Sequence, residues 1–291
     1  METTRVTPGS TSSPGLPAAA DPWGRPVRGW PGPLRRLAAV AAPARRIPLA
    51  LCYHGVGVPP AGGDPHGLYR APDRFREHLA MLAGHDLLTA DALWERVSAS
   101  AAAGRPPVAL TFDDALAESI DLAAELILGA GGAMTVFACS GLLGQPHPHL
   151  GFRAMIASRE QLRSLSDAGV QIGSHTPTHI DLTTVSYDEA LAELRRSQAE
   201  LEDLTGRAVS ALAYPYGRFN AETQAAARAA GYGTAWACEG AGDWAPFAAP
   251  REPMLPSTGR LRLQAKLLGF DRPLVALGHA EKAVRRRLRR A

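Results

Sequence analysis

The sequence predicts a parallel α/β fold, and three observations carry that reading. Short apolar runs alternate with helix-spaced segments over roughly 200 residues. The helical segments close on glycines, as at Gly129, Gly169, Gly206 and Gly231. Polar residues sit directly after the apolar runs, where α/β folds gather functional groups. Alternation alone leaves a doubly wound sheet and a barrel both open.

The elements follow in order. Leu49 to His54 is a short apolar strand. Phe75, Leu79 and Leu82 mark a helix over Asp73 to Ala83, and Ala90 to Ser100 reads as a second. Val108 to Phe112 is a buried strand, followed by a helix over Leu116 to Leu128 and a strand over Ala133 to Cys139. A helix over Arg159 to Ala168 leads to a strand over Val170 to Gly173. Ser186 to Leu204 is the clearest helix: Ser186 and Glu189 make a capping box, and Leu191, Leu194, Ala199 and Leu201 mark its apolar face. Val209 to Tyr214 and Tyr232 to Ala237 are strands on either side of a helix over Ala221 to Ala230.

The chain has 291 residues, enough for one large domain with tails. Residues 1–46 are rich in Pro, Gly, Ser, Ala and Arg without periodicity, and read as a disordered or loosely attached arm. Residues 47–256 hold the alternating pattern, and 257–291 form a basic, amphipathic tail. In that tail, Leu261, Leu263, Leu267 and Leu268 cluster before the basic run that ends the chain, which suggests peripheral contact with anionic lipid. A net charge of +3 is too mild to point to nucleic acid. No secretory signal peptide or membrane-length apolar run is seen, so a cytoplasmic protein is expected. The three cysteines, Cys52, Cys139 and Cys238, show no metal or redox spacing and read as buried, inert thiols.

Three strand ends carry candidate chemistry. Asp113 and Asp114 follow a buried strand, where adjacent carboxylates are costly without a cation or a shared proton. Helix capping by Asp114 is the competing reading. His175 and His179 follow another strand; Thr176 as a cap and Pro177 at the first helical position would put the two imidazoles on one side of a turn. Two imidazoles with one carboxylate make a facial site for a divalent metal. Pro215 and Gly217 force a turn after the third strand, beside Tyr214 and Tyr216.

Together these segments resemble the polysaccharide-deacetylase (NodB-homology) family. The resemblance rests on Thr111-Phe112-Asp113-Asp114, on Ser174-His175-Thr176-Pro177-Thr178-His179 and on Tyr214-Pro215-Tyr216-Gly217, and runs from about Ile47 to Pro256. It implies a distorted (β/α) barrel with fewer than eight repeats. It also implies a zinc-like divalent metal on Asp114, His175 and His179, Asp113 as general base, and the backbone N–H of Tyr216 in the oxyanion hole. The implied activity is removal of an acetyl group from an N-acetylated amino sugar. A deformylase on a lipid-linked amino sugar, a non-catalytic carbohydrate-binding relic and a lipid-surface adaptor are the alternatives.

The sequence departs from the family pattern in places. Ala115 stands where a glycine is usual, and Ala213 where many members carry an arginine; Arg251 is the candidate substitute for orienting Asp113. Asp243-Trp244 has only a weak counterpart in the family. A branch of the family begins with a strand ending Tyr-His, here Tyr53-His54, which makes His54 rather than His279 the expected catalytic acid.

Overall fold

The alternation in the sequence becomes alternation in space. A computed structural model describes residues 48–268 apart from 60–62, 101–103, 151–152 and 239–243. The expected arm over 1–46, His279, Asp243 and the terminal arginines lie outside the described residues. In chain order the elements are strands β1 (Leu49–Tyr53), β2 (Gly55–Val56) and β3 (Tyr69–Arg70), helix α1 (Pro72–Leu82), β4 (Asp86–Leu88), α2 (Ala90–Ser98), β5 (Pro107–Phe112), α3 (Ala117–Gly129), β6 (Thr135–Ala138), α4 (Arg159–Asp167), β7 (Gln171–Ser174), α5 (Tyr187–Thr205), β8 (Ala211–Ala213), α6 (Ala221–Ala230), β9 (Thr234–Ala237), β10 (Ala249–Pro250), β11 (Glu252–Pro253) and α7 (Arg260–Leu267).

Local chemistry sets the helix ends. Ser186 accepts from the Glu189 N–H while the Glu189 side chain reaches back, so the expected capping box is present on α5. Gly206 and Gly231 end α5 and α6 in left-handed conformations that cost glycine least. At the other end, the side chains of Thr89, Ser158 and Asn220 each accept a backbone N–H and cap the N-termini of α2, α4 and α6.

The main sheet is parallel throughout, in the order β10-β9-β8-β7-β6-β5-β1-β11, with β4 beside β5. Its two end strands are consecutive in the chain, separated by Arg251 alone. Residues 249–250 pair with β9, and residues 252–253 pair with β1. The Arg251 N–H donates to Ala237 O at 2.8 Å, and the Met254 N–H to Cys52 O at 2.9 Å. One short stretch thus bridges the two edges, and the sheet is nearly closed into a distorted (β/α) barrel. All six residues of β5 are buried, as a strand covered on both faces requires. Trp236, Phe137, Leu93 and alanines from four strands pack in one of the apolar clusters.

Three sequence expectations are corrected. Asp114 does not cap a helix: α3 starts at Ala117 with Leu116 before it and no side-chain cap. Thr176 does not start a helical turn either. Its φ is +62° and that of His179 is +56°, so the segment is an irregular loop, although Thr176 Oγ1 still accepts from the His179 N–H at 3.0 Å. Finally, the leucine cluster of the tail is not left free for lipid. Leu263, Leu267 and Leu268 are buried and only Leu261 is exposed, so the apolar face of α7 packs inward. Lys266 Nζ ties the helix to Glu252 at 2.8 Å. Among the described residues no helix is long and apolar enough to cross a membrane.

Candidate metal centre and catalytic cleft

Each strand end delivers its polar residues to one cleft of about 280 Å³, lined by His54, Asp113, Asp114, His175, His179 and Tyr216 among others. The backbone bends hard to do so. Asp114, Ala115, Thr176, His179 and Tyr216 all have φ between +54° and +66°. Such conformations cost a non-glycine residue on the order of 1–3 kcal/mol each and cluster where function demands them. Their concentration in the three motif segments marks this cleft as the place where the fold stores strain.

Asp114 is the hub. Its Oδ1 is buried and makes no hydrogen bond among the described residues. Around that oxygen stand three imidazole nitrogens: Nε2 of His147 at 3.4 Å, of His175 at 3.6 Å and of His179 at 3.4 Å. A buried carboxylate oxygen facing nitrogens without short bonds is the donor arrangement a cation would complete. Ligand atoms of Asp114, His175 and His179 lie within 4.8 Å of one another, and His147 falls outside that set. The residues present therefore fit a divalent metal with two nitrogen donors and one oxygen donor.

The hydrogen bonds assign the tautomers. His175 Nδ1 lies 2.8 Å from the carbonyl oxygen of Ala213. A carbonyl only accepts, so Nδ1 holds the proton and Nε2 faces Asp114 with its lone pair. His147 is the reverse case. Its Nδ1 accepts from the His149 N–H at 3.2 Å, which leaves Nε2 as the protonated nitrogen pointing at Asp114. His175 thus turns a lone pair toward Asp114, whereas His147 turns its N–H toward the same carboxylate from 3.4 Å.

Burial pushes the His175 imidazole down, against the pull of Asp113 and Asp114. It takes His179 to about 3, with Asp114 opposing. Both rings are neutral near pH 7, the form that binds a metal. Burial by itself would raise the Asp114 carboxyl. The contact with His147 and the neighbouring His179, His54 and His175 outweigh it and hold Asp114 well below the usual carboxylate range.

Asp113 is held by a different partner. Arg251 donates to it twice, NH1 to Oδ1 at 2.6 Å and NH2 to Oδ2 at 2.8 Å. Arg251 NH1 also reaches Thr111 Oγ1 at 3.1 Å, and its guanidinium carbon lies 5.1 Å from the Phe137 ring centre. Burial would raise the Asp113 carboxyl, but Arg251, then His175, hold it below its ordinary value. Arg251, the residue singled out in the sequence, is thus paired with Asp113, while position 213 is a buried alanine.

His54 follows β1 and lines the cleft, close enough to lower both carboxyls. Tyr216 sits in the turn Pro215–Gly217, its ring 4.7 Å from that of His179. As the second residue of a single 3-10 turn, its N–H has no intrahelical acceptor.

Sequence reasoning missed His147. It lies in a proline-flanked loop, His-Pro-His, between β6 and α4. That loop is stitched to the Asp114 segment: Ala157 N–H donates to Ala115 O and Ala117 N–H to Met155 O, both at 2.8 Å, while His147 N–H donates to Ala154 O at 2.8 Å. Two histidines in a proline-rich loop were the available signal. Also missed was the meeting of Cys52 and Cys238, which line the cleft together. Cys238 is half-buried rather than buried.

Comparison with known proteins agrees with this picture. Residues 100–235 match the polysaccharide deacetylase family model. That span holds Asp113, Asp114, His147, His175, His179 and Tyr216 but neither His54 nor Arg251. The putative polysaccharide deacetylase YxkH of Bacillus subtilis is 26% identical over 162 residues, 56% of this chain and 53% of that protein. The chain thus spans about half the length of that curated relative. Among solved structures, the deacetylase PplD of Streptococcus pyogenes, in complex with acetate, superposes with a TM-score of 0.65 at 23% identity, over 75% of this chain and 97% of that one. IcaB from Ammonifex degensii gives 0.62 at 20% identity, over 77% and 96%. These likenesses show a shared fold, and over residues 100–235, which hold the motif residues, the chain is similar to the polysaccharide deacetylase family.

Proposed function

We propose that the protein is a metal-dependent hydrolase that removes the N-acetyl group from an amino-sugar-containing glycan or glycoconjugate. The observation that carries this reading is the pairing of two buried carboxylates with opposite environments. Asp114 faces a set of imidazole nitrogens suited to a cation, while Asp113, its neighbour in the chain, is gripped by Arg251. Two adjacent carboxylates held apart in this way suit two roles, ligand and base.

The donor set, two imidazoles and one carboxylate, fits zinc. A divalent ion held there would supply Lewis acidity, polarising the acetyl carbonyl and making a water easier to deprotonate. The remaining steps belong to the chain. Asp113, kept ionised and aimed by Arg251, accepts the proton from the attacking water. The N–H of Tyr216 donates to the oxygen on which charge develops. His54 gives a proton to the departing amine, because an amide nitrogen is too basic to leave as an anion. Carbohydrate reaches these groups through the open side of the cleft, where Tyr216 is exposed.

The test is a mass-spectrometric screen of amino-sugar substrates for loss of acetyl against loss of formyl, with and without chelator. Loss of acetyl that chelation abolishes is the expected result. Loss of formyl alone would replace this reading with a deformylase. Tight metal binding without turnover across the panel would leave a carbohydrate-binding relic.

A further inference from the structure

Two thiols that the mechanism does not use stand beside Asp113. Cys52 lies on β1 and is buried; Cys238 follows β9 and is half-buried. Those two strands are the ones that residues 249–253 bridge, and closure of the barrel brings both side chains to the same cleft. Cys52 Sγ, Cys238 Sγ and one Asp113 oxygen lie within 4.8 Å of one another. The Cys52 thiol donates to Asp113 Oδ2 at 3.4 Å. That oxygen also accepts from Arg251 NH2, so the thiol proton occupies its remaining lone pair.

We propose that Cys52, Cys238 and Asp113 form a second, thiophilic metal site, and that a soft divalent ion bound there disables the general base. A zinc ion with bonds of about 2.3 Å to sulfur and about 2.0 Å to oxygen places tetrahedral sulfur and oxygen ligands about 3.5 Å apart. The Cys52–Asp113 contact already has that spacing. An ion taking the place of the thiol proton leaves the Arg251–Asp113 pair intact. Each thiol passes its proton to solvent as its bond to the metal forms, and no electrons are transferred. Two thiolates and one carboxylate then balance Arg251 and a dication, which keeps the buried cluster neutral. The hydrogen bond with Cys238, then burial, push the Cys52 thiol up, so a strongly thiophilic ion is needed to displace its proton. Donor softness separates the two sites: sulfur-rich here, nitrogen and oxygen at Asp114, His175 and His179.

Binding at this site stands on geometry alone, whereas the inhibition rests on the role proposed for Asp113. The test uses full-length protein carrying one equivalent of metal, kept reduced with a phosphine. Cobalt or cadmium is then titrated while near-ultraviolet absorption and turnover are followed. A second, weaker equivalent is expected, with a thiolate-to-metal charge-transfer band and a fall in turnover that tracks it. Cys238→Ser should remove band and inhibition and keep the first equivalent; Cys52→Ala is the second variant. Saturation at one equivalent without a thiolate band, or a band that persists in both variants, overturns the site. A thiolate band with undiminished turnover would uphold the site and overturn the base role of Asp113 instead.

Discussion

Arg251 grips Asp113 through both carboxylate oxygens, at 2.6 and 2.8 Å, with 138 residues of sequence separation between them. Both side chains are buried. Breaking a buried pair by removing one partner leaves an uncompensated charge and costs roughly 3–5 kcal/mol. Arg251→Met is therefore expected to lower unfolding free energy by about that amount. The double variant Arg251→Met, Asp113→Asn should recover part of the loss, since no charge is then stranded. Denaturant unfolding of the wild type, both single variants and the double variant measures this. Equal stability of Arg251→Met and wild type would show that the carboxylate finds solvent or another partner.

Asp113 and Asp114 should separate cleanly by substitution. Asp113→Asn keeps the metal and loses about 100- to 10,000-fold in turnover, the usual contribution of a general base. His175→Ala with His179→Ala should instead empty the site, taking metal content from one per chain to none. Elemental analysis of purified proteins decides between the roles. Metal loss in Asp113→Asn would mean that the two carboxylates are exchanged.

His147 is expected to act through Asp114 rather than as a ligand. Its protonated Nε2 faces Oδ1 from 3.4 Å. Partners of this kind typically account for 10- to 100-fold in metal affinity. His147→Ala should weaken binding by about that factor, and His147→Gln, which restores a donor, should regain part of it. Competition against a chelating dye gives the dissociation constants directly. Unchanged affinity in His147→Ala would reduce the residue to packing.

His54 is expected to serve the leaving group. His54→Ala should lower turnover on an N-acetyl substrate by about 100- to 10,000-fold with metal retained. An activated acetyl ester, whose leaving group needs no proton, should be hydrolysed with a much smaller loss. An equal loss on both substrates would remove His54 from the acid role. His279→Ala should be nearly silent in the same assays, and a steep loss there would move the acid to the C-terminal segment.

Much of the barrel was legible along the chain because its causes are local. Ser186 and Glu189 cap α5 from three residues apart, and Gly206 ends it with a left-handed turn. The motif residues were legible for the same reason: Asp113 and Asp114 are adjacent, and His175 and His179 share one loop. Local rules failed where the loop itself was strained. A helical turn after Thr176 has good cap chemistry, yet the chain takes positive φ at Thr176 and His179 instead. That conformation is stable only because the barrel holds it, with Ser140 and Gly141 N–H groups donating to Thr176 O and Pro177 O at 3.3 and 3.1 Å.

The sequence by itself determined the parallel α/β character, the helix boundaries and the two pairs of residues around which the site is built. Each depends on periodicity, capping or adjacency within a few residues. Tertiary structure alone decided that the sheet closes between β9 and β1 and that Arg251 sits at the closure. It also decided that His147 faces Asp114, that Cys52 meets Cys238, and that the tail leucines Leu263 and Leu267 are buried. These are contacts between distant parts of the chain, and they follow from which strand edges pair. Pairing is a property of the whole barrel, because the burial that drives it is satisfied only when the two free edges are bridged.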